Sequence, residues 1–124
     1  MKRVLVFGTF DGLHKGHIYF LEQAKKNGDE LFAAVARDSH VFLLKDKTPR
    51  FSEQERLAAI KSSGLVTKAL LCDVELNSFE IIKKIKPDVI IMGHDQSALA
   101  NALHKWMQQN RINIEIGQAK KNPV

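Results

Sequence analysis

A single cysteine in 124 residues excludes an internal disulfide and any cysteine-built zinc site. That residue, Cys72, lies in KALLCD and reads as a small apolar side chain at a strand end rather than a nucleophile. Aromatic residues are also scarce, 7% with one Trp and one Tyr. They are not interleaved with basic residues, so no stripe for stacking nucleic-acid bases is expected, and no nucleic-acid partner. Long apolar runs are missing as well. Asp, Lys or Gly interrupts each within about 10 residues, too short to span a membrane. The basic-then-apolar start MKRVLVFGTFDG is cut by Gly8 and Asp11 without a small-residue cleavage site, which argues against a secretory leader. A cytoplasmic protein without a membrane partner is the expectation.

What is present fits one globular domain. Apolar residues make up 44% and charged residues 27%, enough for one packed core. Lys and Arg outnumber Asp and Glu by 19 to 14, a net charge of +5. The excess favours anionic partners. It is dispersed over Lys25/Lys26, Lys45/Lys47, Lys83/Lys84/Lys86 and Lys120/Lys121, and phosphorylated small molecules account for it as well as nucleic acid does.

Apolar runs and helical patterns alternate along the chain. RVLVF (3–7) is short, β-branched and bounded by Gly8, the pattern of a buried strand. A helix is predicted from about Gly16 to Asn27, with His17, Leu21 and Ala24 on one face and Gly28 as its stop. ELFAAVA (30–36) reads as a second strand, and 38–47 as irregular or partly helical. Ser52 and Glu55 form S-x-x-E, a capping box before a helix carrying Leu57 and Ile60, which Gly64 ends. VTKALLC (66–72) is the third strand. Asn77 or Ser78 is expected to cap a helix with Phe79, Ile82 and Ile85, closed by Pro87. DVIIMG (88–93) is the fourth strand. The stretch 96–110 is a helix with Leu99, Leu103, Trp106 and Met107 on one side. INIEI (112–116) is a fifth strand, at an edge. This alternation calls for an α/β fold with a parallel sheet covered by helices on both faces.

In such sheets ligands bind beyond the carboxyl ends of the strands, near the point where strand order reverses. The first of these loops, GTFDGLHKGH, begins and ends near glycines that admit close backbone approach, and it runs into a helix N-terminus that attracts anions. His14 and His17 stand at that junction. Three readings compete: phosphate ligands, a metal pair, and a structural pairing with one ring capping and the other packed. Imidazole N–H groups can donate to phosphate oxygens. A metal pair on a helix usually has i, i+4 spacing or further ligands, and no third imidazole lies nearby in sequence. The phosphate reading fits best. His40 and His104 have no comparable support, and His94 is a possible contact only.

GTFDGLHKGH resembles the H-x-G-H signature of the cytidylyltransferase-like nucleotidyltransferases. The resemblance continues through AKKNGDELFAAVARD, RFSEQERLAAI and IKPDVIIMGHDQ, nearly the whole chain, and the second and fourth stretches look closest to the archaeal-type FAD synthase group. It implies a Rossmann-like five-stranded parallel sheet forming a single nucleotidyltransferase domain over 1–124. It also implies attack of a substrate phosphate on the α-phosphate of ATP or CTP, with pyrophosphate leaving. By resemblance His14 and His17 bind phosphates and stabilise the transition state, and Lys45 and Lys47 bridge the α-phosphate and the acceptor, or are a plain solvated pair. Gly8, Thr9, Phe10, Asp11 and Gly16 shape the nucleotide site. Arg56 belongs either to that site or to an exposed helix ion pair. Gly93 and Asp95 lie near ribose or base, Asp95 doubling as a helix N-cap, with Gln96 beside them. Mg²⁺ is implied as a companion of the triphosphate, with no protein metal ligands expected.

The resemblance leaves the acceptor open. An FMN adenylyltransferase of the FAD synthase kind leads. The alternatives are a cytidylyltransferase for glycerol-3-phosphate or another polyol phosphate, and a nucleotide-binding module with little turnover. Family members usually follow strand five with an arginine and a Ser/Thr-rich turn that opens a last helix over the triphosphate. EIGQAKKNPV has no such turn. Truncation, completion by a partner chain and reduced activity are the three readings of that departure. The family often forms homodimers, to which Trp106 and Met107 would contribute if they were not core residues.

Overall fold

The computed structural model describes residues 1–119, with the backbone alone for Leu44 and Lys45. Five strands alternate with helices. In chain order they are β1 (Arg3–Gly8), α1 (Lys15–Lys25), β2 (Glu30–Val35), α2 (Asp38–Lys45), α3 (Glu53–Ser62), β3 (Lys68–Leu71), α4 (Glu80–Ile85), β4 (Val89–Met92), α5 (Ser97–Asn110) and β5 (Glu115–Gln118). All strand pairs are parallel, in the order β3-β2-β1-β4-β5. The predicted α/β class, strand count and edge position of β5 all hold.

The alternation of side chains along β1 explains the two covered faces. Val4 and Val6 enter a core with Leu21, Ala24, Leu31, Ala33 and Ile60, beneath α1 and α3. Leu5 and Phe7 enter the opposite core with Ile82, Ile85, Ile90, Leu103, Trp106 and Met107, beneath α4 and α5. Trp106 and Met107 are therefore core residues of a single chain, 8% and 7% exposed, and not an interface surface.

Three local expectations need correction. The cap of α4 is neither Asn77 nor Ser78. Phe79 takes the N-cap position in the left-handed region, φ 51°, without a side-chain cap. Asp73 does the work from six residues earlier in the chain: its Oδ2 accepts from the N–H groups of Glu80 (2.6 Å) and Ile81 (3.3 Å) and from Ser78 Oγ (2.6 Å). Asp95 does not cap α5, whose N-cap is Gln96. β5 starts at Glu115 rather than Ile112, because Ile112 N–H still bonds Met107 C=O (2.9 Å) to finish the α5 terminus. Ile112, Ile114 and Ile116 nevertheless pack against the same core, so the alternation reported the buried face while the ladder began later.

The capping box on α3 forms as predicted: Glu55 N–H donates to Ser52 Oγ (3.2 Å), and Ser52 N–H donates to Glu55 Oε1 (3.1 Å). Strand order reverses at β1. The chain moves outward from it through β2 and β3, then returns to β4 on its other side, which creates a crevice at the carboxyl ends of β1 and β4.

Candidate active site

Gly8 ends β1 and Lys15 begins α1, so the six residues 9–14 turn the chain over the end of the sheet. Phe10 turns inward with φ 54° and is 3% exposed. Its ring fills the space a side chain on Gly8 would need: a Cβ there would stand 2.5 Å from Phe10 Cζ. The ring also meets His17 edge-on, centroids 5.4 Å apart. Phe10 thus acts as a plug under the loop.

The two histidines form a capping box in which imidazoles replace the usual hydroxyl and carboxylate. His14 is the N-cap, and its Nδ1 accepts from Gly16 N–H at 3.0 Å. His17 Nδ1 accepts from His14 N–H at 3.3 Å. The rings stack at 3.7 Å and 21°. The motif's glycine follows from this geometry. His14 folds back so closely that a Cβ on Gly16 would lie 2.9 Å from its Cε1. An Nδ1 that accepts carries no hydrogen, so each neutral ring holds its proton on Nε2. The structural pairing and the phosphate reading are therefore compatible. Capping occupies Nδ1 and fixes the tautomer, and the exposed His14 ring lies at a helix N-terminus, a position that favours anions.

Asp11 faces the segment after α2. It accepts from Arg50 N–H (2.7 Å) and Phe51 N–H (2.8 Å). Burial alone would raise its carboxyl, but these two donors and the charges of Arg56 and Arg50 outweigh that and hold it below the usual value.

Arg56 departs most from expectation. It is neither exposed nor available to a nucleotide: it is 1% exposed, and its guanidinium is shared among Phe51 C=O (Nε, 3.0 Å), Thr9 C=O (Nη1, 2.8 Å) and Asp38 Oδ1 (Nη2, 2.7 Å). Planar geometry lets one guanidinium brace three segments at once. Asp38 in turn donates its N–H to Glu53 Oε1 (2.9 Å), and Glu53 pairs with Arg37 (3.2 Å). Sequence reasoning passed over Asp38 and Glu53. The available signal was RD directly after a strand, facing an arginine whose helix face also carries core residues.

On the β4 side, Gln96 laces the two central strands. Its Nε2 donates to Phe7 C=O (2.9 Å) and its Oε1 accepts from Gly93 N–H (2.7 Å). Its amide is therefore a tie at the switch point. Gly93, also at that point, leaves a Cβ no closer than 3.3 Å to Gln96 Oε1. His94 and Asp95 are exposed beside it.

The structure thus brings Gly8 to His17, Gly93 and Gln96 to one sheet end. Lys47 is exposed on the segment that Asp11 and Arg56 fasten. Lys45 ends α2, its side chain outside the described residues, as are Lys120 and Lys121. Among the described residues no three His, Cys, Asp or Glu side chains gather as a metal cluster, and no helix is long and apolar enough to cross a membrane. Burial pushes the Cys72 thiol up to about 12, with Asp73 adding to the shift, which makes it a poor nucleophile.

The cytidylyltransferase-like family model matches residues 5–122, and the chain belongs to that family of nucleotidyltransferases. Within it, the chain is 50% identical over 112 residues to an FAD synthase of Methanosarcina barkeri, covering 90% of this chain and 78% of that protein. The FAD synthase of Methanococcoides burtonii is 52% identical over 117 residues, 94% of this chain and 79% of that one. Among solved structures, a lipopolysaccharide core biosynthesis protein from Thermoplasma volcanium superposes with a TM-score of 0.89 at 38% identity, covering 98% of each chain. Pantothenate synthetase from Thermus thermophilus shares the fold alone, with a TM-score of 0.65 at 15% identity over 96% of this chain and 55% of that one.

Proposed function

We propose that the protein is a cytoplasmic nucleotidyltransferase that joins the AMP moiety of ATP to FMN, forming FAD and pyrophosphate. The observation that carries the reading is the imidazole capping box at the carboxyl end of β1. It presents His14 Nε2–H from an exposed ring at a helix N-terminus, beside the strand-order switch. The FAD synthases half identical to this chain support FMN as acceptor.

In the reaction an oxygen of the FMN phosphate attacks the α-phosphorus of ATP. A P–O bond forms, the bond from the α-phosphorus to the β-bridging oxygen breaks, and pyrophosphate leaves with that electron pair. The protein contributes position and charge rather than a covalent intermediate. His14 and His17 stabilise the charge on the transferring phosphoryl group. The dipole of α1 adds to their effect. Lys45 and Lys47 hold the acceptor phosphate against the α-phosphate. Thr9, the Phe10 backbone, Gly93 and Asp95 line the nucleotide site. Asp11, Gln96 and Arg56 position it from behind. Mg²⁺ would offset the triphosphate's charge while bound mainly to its oxygens.

The test is pyrophosphate release with ATP or CTP, each against FMN and glycerol-3-phosphate. The expected result is FAD with one pyrophosphate per turnover from ATP and FMN. Turnover with CTP and glycerol-3-phosphate instead would move the protein to the polyol-phosphate reading. Nucleotide binding without pyrophosphate would leave it a binding module.

A further inference from the structure

Among the described residues, the exposed Phe, Tyr and Trp side chains are Phe42 (54% exposed) and Phe51 (38%). Both lie between β2 and α3, at the carboxyl end of the sheet. A groove of about 400 Å³ opens at Phe42, walled by Asp38, Thr48, Pro49 and Ser52, within the size range of small-molecule sites. Phe51 precedes the groove residue Ser52 in the chain and lies against the loop after β1. Its ring comes within 3.4 Å of where a Cβ on Gly12 would stand, and its N–H is fixed by Asp11 (2.8 Å). The Arg50 guanidinium lies 5.2 Å from the centroid of the same ring. Two exposed rings and a groove therefore lie beside the loop that ends at His14, the N-cap of the helix carrying His17. The backbone bonds of Phe51 to Asp11 and Arg56 hold its position without using the ring itself.

We propose that Phe42, Phe51 and the groove walled by Thr48, Pro49 and Ser52 form the subsite for the planar heteroaromatic ring of the acceptor. This rests on the FMN reading above and deepens it. The nucleoside is assigned to the β4 side of β1, by Gly93 and Asp95. The acceptor then approaches from the β2 side, where these rings are. A flat ring system needs apolar faces to cover it and a few polar groups at its edge. The phenylalanines offer the first, and the Thr48 hydroxyl offers one of the second. A polyol phosphate has no ring for these residues to cover, so the same residues select between the two acceptor classes.

The test varies FMN and ATP separately in Phe42→Ala, Phe51→Ala and the double variant. Val74→Ala, an exposed apolar residue that is not among the groove's walls (76% exposed), is the control. Each alanine should raise KM for FMN about tenfold, the loss of one stacking contact, with KM for ATP within about twofold. Phe51→Trp should retain FMN affinity. Quenching of flavin fluorescence on binding should weaken in the same variants, while their melting temperatures stay near wild type. An unchanged KM for FMN in the double variant, with the wild type making FAD, would overturn the subsite and leave the acceptor standing; the rings would then serve a macromolecular partner. A wild type that makes no FAD from FMN would overturn the acceptor and this subsite together.

Discussion

His14 and His17 each use Nδ1 for the fold, and the proposed chemistry falls to the rest of each ring. This division makes their two roles separable by mutation. Replacing His14 with Ala removes the cap, which costs about 1 kcal/mol, and should lower turnover by about 10²–10³-fold, the usual loss for one oxyanion donor. Asn is a good N-cap without an imidazole, so His14→Asn should recover the stability, read by thermal melting, and not the turnover. Recovery of both would mean that the ring only caps. Cys72 carries an opposite expectation. With its thiol raised to about 12, alkylation by iodoacetamide at pH 8 should be slow in the folded protein and rapid once urea unfolds it. At this scale the sequence exposed the histidines, because two imidazoles on a glycine-bearing strand-to-helix turn have few explanations. It did not show that both rings cap. That depends on ring rotation and on the missing Cβ of Gly16, neither of which spacing encodes.

Between elements, the β1–α1 loop and the segment before α3 are locked by one carboxylate and one guanidinium. Asp11 titrates below the ordinary carboxylate value in the folded state, so the sign is fixed. It stabilises the fold at pH above the unfolded value of about 4, and this contribution is lost as pH falls through the lower folded value. The melting-temperature gap between wild type and Asp11→Asn should therefore be open at pH 7 and close in acid; a gap that widens in acid would contradict this sign. Arg56→Met should cost about 3 kcal/mol, because it leaves the carbonyls of Thr9 and Phe51 and the Asp38 carboxylate without their donor. A denaturant midpoint unchanged from wild type would exclude the brace. The α3 capping box was legible because both partners lie within one turn. The Asp73 cap of α4 and the Asp38–Arg56 pair were not. They join residues that the fold brings together, and local patterns carry no trace of them.

Across the whole molecule, alternating apolar runs and helical patterns were enough to specify a parallel α/β sheet, since the strands β1, β2 and β4 are apolar on both faces and helical segments separate them. The strand order β3-β2-β1-β4-β5 was not legible in the pattern itself. The same alternation suits several orders, and the resemblance supplied the fold family. The order matters because it puts the reversal at β1, so that the first loop and the Gly93 turn meet over one crevice, tied by Gln96. The central claim is that this crevice transfers a nucleotide to FMN. It is tested most directly by incubating the protein with ATP, FMN and Mg²⁺ and measuring FAD and pyrophosphate together, with His14→Ala/His17→Ala alongside. The account predicts equal amounts of both products from the wild type and little of either from the variant. Equal product from the double variant, or none from the wild type, would contradict it.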